Sequence, residues 1–147
     1  MTTDYISDRR KRPAAATPLE ALAQLPASVL LDRMPTPTVG LATNGALVYA
    51  NPAMASMLGH SEVDHLLEQG LSALLLGHEV RAPEDCVATL RRGAEGQIID
   101  WCHADGFTIH TAVSSPLLQR ATDPLLIFTI ADITELLWVE ASRRKRA

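Results

Sequence analysis

The Asn44-Gly45 pair constrains this chain more than any other feature, because Asn-Gly supplies the positive φ angles of a tight hairpin turn. The flanking stretches, Thr38 to Ala42 and Ala46 to Ala50, are short and apolar enough to be its two strands. Asn51-Pro52 then stops the second strand, and Pro52 suits the first turn of a following helix. Upstream, Pro35 and Pro37 exclude helix and force extended backbone into the hairpin. A β-ribbon near the N-terminus is therefore the fixed point for the rest of the chain.

Past the hairpin the pattern turns helical and stays short. Met54, Met57 and Leu58 share one side of a helix that ends at Gly59, a good residue for the position after a helix. Ser61 opens another turn with Glu62 and Asp64 near its start, and Leu71 to Leu76 forms a short apolar helix closed by Gly77. Pro83 opens a longer helix with Glu84-Asp85 in its first turn and Arg91-Arg92 in its last, the charge order that complements the helix dipole. Three strands follow: Gln97 to Cys102, Phe107 to Ser115 across an Ala104-Asp105-Gly106 turn, and Leu125 to Ala131 after a turn at Ala121-Thr122-Asp123. In the middle one, Phe107, Ile109, Thr111 and Val113 share a face. The last strand is nearly all apolar, as expected of a central strand covered on both sides. Asp132-Ile-Thr-Glu135 resembles a capping box and starts a helix running from Ile133 to about Arg144.

At the other end, residues 1–17 form a basic tail, and residues 18–34 hold two helices that flank the core. Leu19, Leu22 and Leu25 mark the first, Val29, Leu30, Leu31 and Met34 the second, with Pro26 between them. The core is expected over residues 35–132, and residues 133–147 form a C-terminal helix with a basic tail.

Charge and composition exclude several classes of function. The net charge of −4 hides an uneven distribution, since eight of the thirteen basic residues sit in Arg9-Arg10-Lys11-Arg12 and Arg143-Arg144-Lys145-Arg146. From Thr17 to Ser142 there are 5 basic and 15 acidic residues, so the body would repel nucleic acid. The basic runs read as solvated tails, or as docking segments for acidic lipid, nucleic acid or the acidic body of a partner. Cys86 and Cys102 have no zinc-type spacing and give no disulfide framework, so no metal is expected. No apolar stretch approaches a membrane span and the start carries no secretory signal, which makes the cytoplasm the expected location. Hydrolase, phosphate-loop and metalloprotease motifs are all missing. Glu84-Asp85 cannot clamp one substrate, because adjacent helical residues diverge by about 100°. The expectation is a protein that is not an enzyme.

Six local motifs occur in one order: Met34-Pro35; Gly45-Ala-Leu-Val-Tyr-Ala-Asn51-Pro52; Leu58-Gly59-His60-Ser61; His103-Ala-Asp-Gly106; Ser115-Pro116-Leu117; and Asp132-Ile-Thr-Glu135. In that order and spacing, over about residues 30 to 138, the chain resembles the PAS (S-box) sensor family. The resemblance implies an α+β fold: a five-stranded antiparallel sheet with short helices on one face, flanked by N- and C-terminal helices. It implies a sensory module that binds a small ligand, a protein partner or both, with output through the terminal helices. The alternative is a ligand-free dimerisation or interaction module. No kinase, cyclase or helix-turn-helix domain fits in the tails, so the module is expected to stand alone.

The resemblance also implies where a ligand would sit, between the sheet and the helix from Pro83 to Arg92. The candidate lining is Met54, Met57, Leu74, Val87, Leu90, Ile109, Val113 and Ile127, and the same eight residues can equally fill a dry core. Two of the family's cofactor types lack support. Nothing resembles the Asn-Cys-Arg-Phe motif of flavin-binding light sensors, and Cys86 reads as a small buried residue. Haem would require an axial His on that helix; it has none, and His78 belongs to the preceding loop. His60, His65, His103 and His110 read as surface residues. Two departures from the family stand out. The stretch from Gly106 to Pro116 is about one residue short, and charged residues are replaced by Leu136-Leu137-Trp138-Val139. That cluster is expected to be buried against the sheet or a partner. With Leu19, Leu22 and Leu25 it forms the candidate surface for a homodimer or a signalling partner.

Overall fold

The computed structural model describes residues 17–77, 80, 82–117 and 124–146. The Ala121-Thr122-Asp123 turn, His78 and the first basic run lie outside the described residues. The chain divides into two units, Met1–Leu30 and Leu31–Ala147. The first contains α1 (Pro18–Gln24), whose N-cap Thr17 accepts the Glu20 amide at 3.1 Å. Leu19, Leu22 and Leu25 are exposed. The helix α2 (Ala27–Arg33) spans the boundary between the units.

The second unit is organised by its hairpin. β1 (Thr38–Ala42) and β2 (Leu47–Ala50) pair antiparallel around Asn44-Gly45, with a bulge between Gly40 and Leu41. Gly45 has φ +92°, and a Cβ there would collide with the Pro83 carbonyl. The turn glycine thus serves two needs, a left-handed backbone and a close approach from a remote helix. The remaining elements are α3 (Pro52–Met57), α4 (Val63–Gln69), α5 (Leu71–Leu74), α6 (Pro83–Ala94), β3 (Ile99–Cys102), β4 (Thr108–Val113), β5 (Leu125–Asp132) and α7 (Thr134–Arg146). The five strands form one antiparallel sheet in the order β2-β1-β5-β4-β3.

β5 is the central strand, as its nearly all-apolar sequence predicts. The ends of other elements shift by a residue or two. α5 stops at Leu74 because Leu75 turns extended and bridges Trp101, while the Leu76 amide donates to the Asp100 carbonyl at 3.0 Å. α6 runs two residues past Arg92, and its Asp85 carboxylate accepts the Ala82 amide at 3.0 Å. At the start of α7, Asp132 Oδ1 accepts the Thr134 amide at 2.9 Å, so the acidic cap works over two residues rather than through Glu135.

One core lies between α3–α6 and one face of the sheet. Val39 and Leu41 of β1, Leu126, Phe128 and Ile130 of β5, and Ile109 and Val113 of β4 meet Met54, Leu58, Leu66, Leu74 and Leu90 from the helices. Asn51 fixes the entry to this layer and is fully buried. Its Oδ1 accepts the Thr38 amide at 2.9 Å and the Met54 amide at 3.0 Å. Its Nδ2 donates to the carbonyls of Thr36 at 2.8 Å and Leu31 at 3.1 Å. A single amide therefore caps α3, pairs with β1 and holds the segment before it.

Candidate functional site

The eight candidate lining residues do not all face one space. Met54, Leu74, Leu90, Ile109 and Val113 join the single buried cluster, and Met57 and Val87 pack against it while partly buried. Ile127 does not. It pairs with Gly40, and a Cβ on Gly40 would touch Tyr49 and Leu125, so this row lies on the sheet face away from α6. In a strand apolar on both sides, the alternation does not say which set turns toward the helices. Leu126, Phe128 and Ile130 are the β5 residues that do.

The residue that dominates the site is Trp101, on β3. Its side chain is 0% exposed, and its Nε1 donates to Thr111 Oγ1 at 2.8 Å. Thr111 Oγ1 in turn donates to the Ile99 carbonyl at 2.7 Å, so both buried polar groups are satisfied. Paired with Ile109, the indole lies on the sheet face that meets the helices, within the single core cluster. α6 closes that layer from its C-terminal end, where a Cβ on Gly93 would fall 2.7 Å from Ile99 Cγ1 and 3.0 Å from Val113 Cβ. The helix rests on the strands at that glycine. Grooves open beside the cluster. One of about 250 Å³ runs between α6 and β3, lined by Leu76, Val80, Thr89, Arg92, Ile98 and Asp100. Another of about 210 Å³ lies beside His60, His103, Cys102 and Leu74. These two fall below the roughly 300–1,000 Å³ typical of small-molecule pockets, whereas an open groove of about 450 Å³ between α3 and the start of α4, lined by Pro52, Ser56, His60 and Glu62, falls within it.

Cys86 is buried, as expected, and burial raises its thiol pKa, with Asp85 adding to the effect. Two histidines differ from their expected surface positions. His103 packs under Gly59, whose missing Cβ makes room for the ring, and it stacks on Phe107 with centroids 4.0 Å apart. The Asp105 amide donates to His103 Nδ1 at 3.0 Å, which fixes the other nitrogen as the protonated one in the neutral ring. His110 is half-buried, with Nδ1 at 2.6 Å from Asp100 Oδ1. Its backbone receives α7: the Ile133 amide donates to the His110 carbonyl at 2.8 Å, and the His110 amide donates to Thr134 Oγ1 at 3.0 Å.

Beyond this clasp α7 departs from the expectation of burial against the sheet. Trp138 is 71% exposed, Leu136 58% and Val139 45%, while Leu137 is half-buried. Glu135, Trp138, Val139, Ser142 and Arg143 line a shallow groove along the helix. At the opposite edge of the unit, Tyr49 Oη donates to Asp32 Oδ1 at 2.6 Å. Burial raises the Tyr49 pKa well above its ordinary value, and the Asp32 carboxylate raises it further. No group of three or more metal-binding side chains comes together among the described residues. No described helix is long and apolar enough to cross a membrane.

This sheet order, with helices laid across one face and a helix leaving after the central strand, defines a sensor-type α+β domain. The chain belongs to the PAS family, whose model, described as PAS fold, matches residues 27–133. PAS domains are generally sensory or signalling modules and typically non-catalytic. Among solved structures, the PAS domain of an HTR-like protein from Haloarcula marismortui aligns with TM-score 0.57 at 18% identity, covering 86% of this chain and 99% of that one. A PAS domain from a two-component sensor histidine kinase aligns with TM-score 0.55 at 15% identity, covering 72% and 92%. One from Desulfitobacterium hafniense gives 0.55 at 18% identity, covering 71% and 98%. At these identities the likeness is one of fold. No curated protein matches the chain.

Proposed function

We propose that this chain is a PAS signalling module that works through protein association, with a filled core in place of a ligand chamber and α7 as its output element. The supporting observation is Trp101. An indole fully buried in the single core cluster, on the strand that α6 meets at Gly93, leaves this part of the layer to side chains. The accessible apolar groups are instead on α1 and α7, as Leu19, Leu22, Leu136, Trp138 and Val139. Signal would enter or leave where α7 begins, at the His110–Thr134 clasp, because that contact couples the helix to β4 and hence to the core. On this reading the module carries no catalytic group and takes no cofactor.

Native mass spectrometry of the purified full chain, paired with melting against flavin, haem and a panel of small apolar ligands, tests the proposal. The expected result is an unliganded mass and no ligand that raises the melting temperature. A stoichiometric co-purifying molecule, or a melting rise that Trp101 variants alter, would favour the small-ligand reading instead. Leu136→Glu and Trp138→Glu should abolish association while leaving the melting temperature unchanged, since both side chains are exposed.

A further inference from the structure

We infer that α7 pairs antiparallel with α7 of a second copy, about a two-fold axis passing near Val139. The inference rests on the association reading above and names its partner.

Charge is unevenly distributed along α7. Glu135 precedes the exposed apolar cluster and Arg143 follows it. Glu135, Trp138, Val139, Ser142 and Arg143 stand at i, i+3, i+4, i+7 and i+8, so all five share one face. The face is therefore acidic at its start, apolar in its middle and basic at its end. Neither Glu135 nor Arg143 makes an ion pair among the described residues, and both are exposed.

Such a face is complementary to itself in one direction only. In an antiparallel pair centred on Val139, position 135 of each copy lies level with position 143 of the other, giving two symmetric Glu–Arg contacts. The apolar centres then meet across the axis, with Trp138 of each copy reaching the Val139–Ser142 stretch of the other. Two-fold symmetry makes every such contact count twice. A parallel pair in register would instead set Glu135 against Glu135 and Arg143 against Arg143. Like charges at close quarters disfavour that arrangement. Arg144, also exposed, adds to the same repulsion, while Glu140, just past the centre, falls off this face.

The pair is small. A 13-residue helix buries far less than the roughly 1,600 Å² of a standard stable interface, so self-association should be weak and salt-sensitive. Sedimentation velocity of the full chain, over roughly 5–200 μM, reads it. Glu135→Arg and Arg143→Glu should each weaken association about tenfold, because each creates two like-charge contacts at the axis. The doubly exchanged chain, Glu135→Arg with Arg143→Glu, should return to the wild-type constant. In a parallel pair neither single exchange would weaken association, and that outcome overturns the inference. Ser142→Cys in a Cys102→Ser background gives a second readout. Position 142 faces position 136 across the axis, so Ser142→Cys should not cross-link with itself but should cross-link with Leu136→Cys. Efficient self-cross-linking of Ser142→Cys overturns the inference.

The tests separate the two claims. A wild-type monomer at 200 μM with an empty core removes the antiparallel pair but leaves association with a different protein standing. A small molecule held in the native core removes the association reading, whatever α7 does.

Discussion

Replacing Trp101 with alanine probes the filled core directly. The side chain is fully buried, so the whole indole is lost from packing. Trp→Ala and Phe→Ala changes at such positions cost about 3–5 kcal/mol through lost transfer energy and the residual cavity. The hydrogen bond to Thr111 disappears too, but Thr111 Oγ1 keeps its donation to the Ile99 carbonyl, so no buried donor is orphaned. That holds the polar contribution to about 1 kcal/mol. The expected total is about 4–6 kcal/mol, or roughly 15–20 °C in melting temperature for a domain of this size. Trp101→Phe, which keeps most of the ring, should cost about half as much. The cavity left by alanine lies in the apolar cluster with Thr111 Oγ1 still in place as an acceptor, so millimolar indole should recover part of the lost melting temperature and leave the wild type unchanged. Differential scanning fluorimetry with and without indole measures all of this. A loss below about 1 kcal/mol, or equal stabilisation of wild type by indole, would refute the claim that the tryptophan fills this layer.

Gly45→Ala should destabilise by about 2–4 kcal/mol in denaturant melts, since the left-handed backbone and the collision with Pro83 both oppose a Cβ. Asn51→Asp should cost about 3–5 kcal/mol at neutral pH, because a carboxylate would face the Thr36 and Leu31 carbonyls that the amide now serves; urea titration reads it. Tyr49→Phe should cost about 1 kcal/mol near neutrality, and it should flatten the alkaline side of the stability profile. The folded phenol holds its proton to higher pH than the unfolded one, so its contribution is intact below about pH 10 and falls away as the unfolded chain ionises first. A profile equally steep in both proteins above that pH would contradict this.

The framework of the domain was legible because it is written in local chemistry. Asn44-Gly45, Pro52, Gly59, Pro83 and Asp132 each impose a backbone geometry on their own neighbours, and the elements begin or end close to them. What the residues could not declare locally were the long-range choices. Ile127 and Phe128 are equally apolar, and only pairing with β1 decides which one turns toward α6. Trp101 carried the same ambiguity in an Ile-Asp-Trp-Cys strand, although its alternation with Asp100 was a usable signal for an inward ring. His103 reads as polar in isolation, and its position follows from an empty place at Gly59 more than forty residues away. Leu136, Trp138 and Val139 suggest burial by hydropathy, yet α7 touches the domain mainly through its first turn, so the cluster stays in solvent. Seven of the eight candidate lining residues thus lie in or against one cluster, and Ile127 lies outside it.

The placement of β5 beside β1 has a consequence for how the chain reaches its native state. Thr38 and Thr129 are separated by about ninety residues, and the sheet has no middle until they meet. The hairpin and the β3–β4 ribbon can form early, but each exposes a bare strand edge while it waits. Emergence of residues 125–132 from the ribosome should thus be the commitment step, and a chain stalled before them would be a candidate for chaperone capture or aggregation.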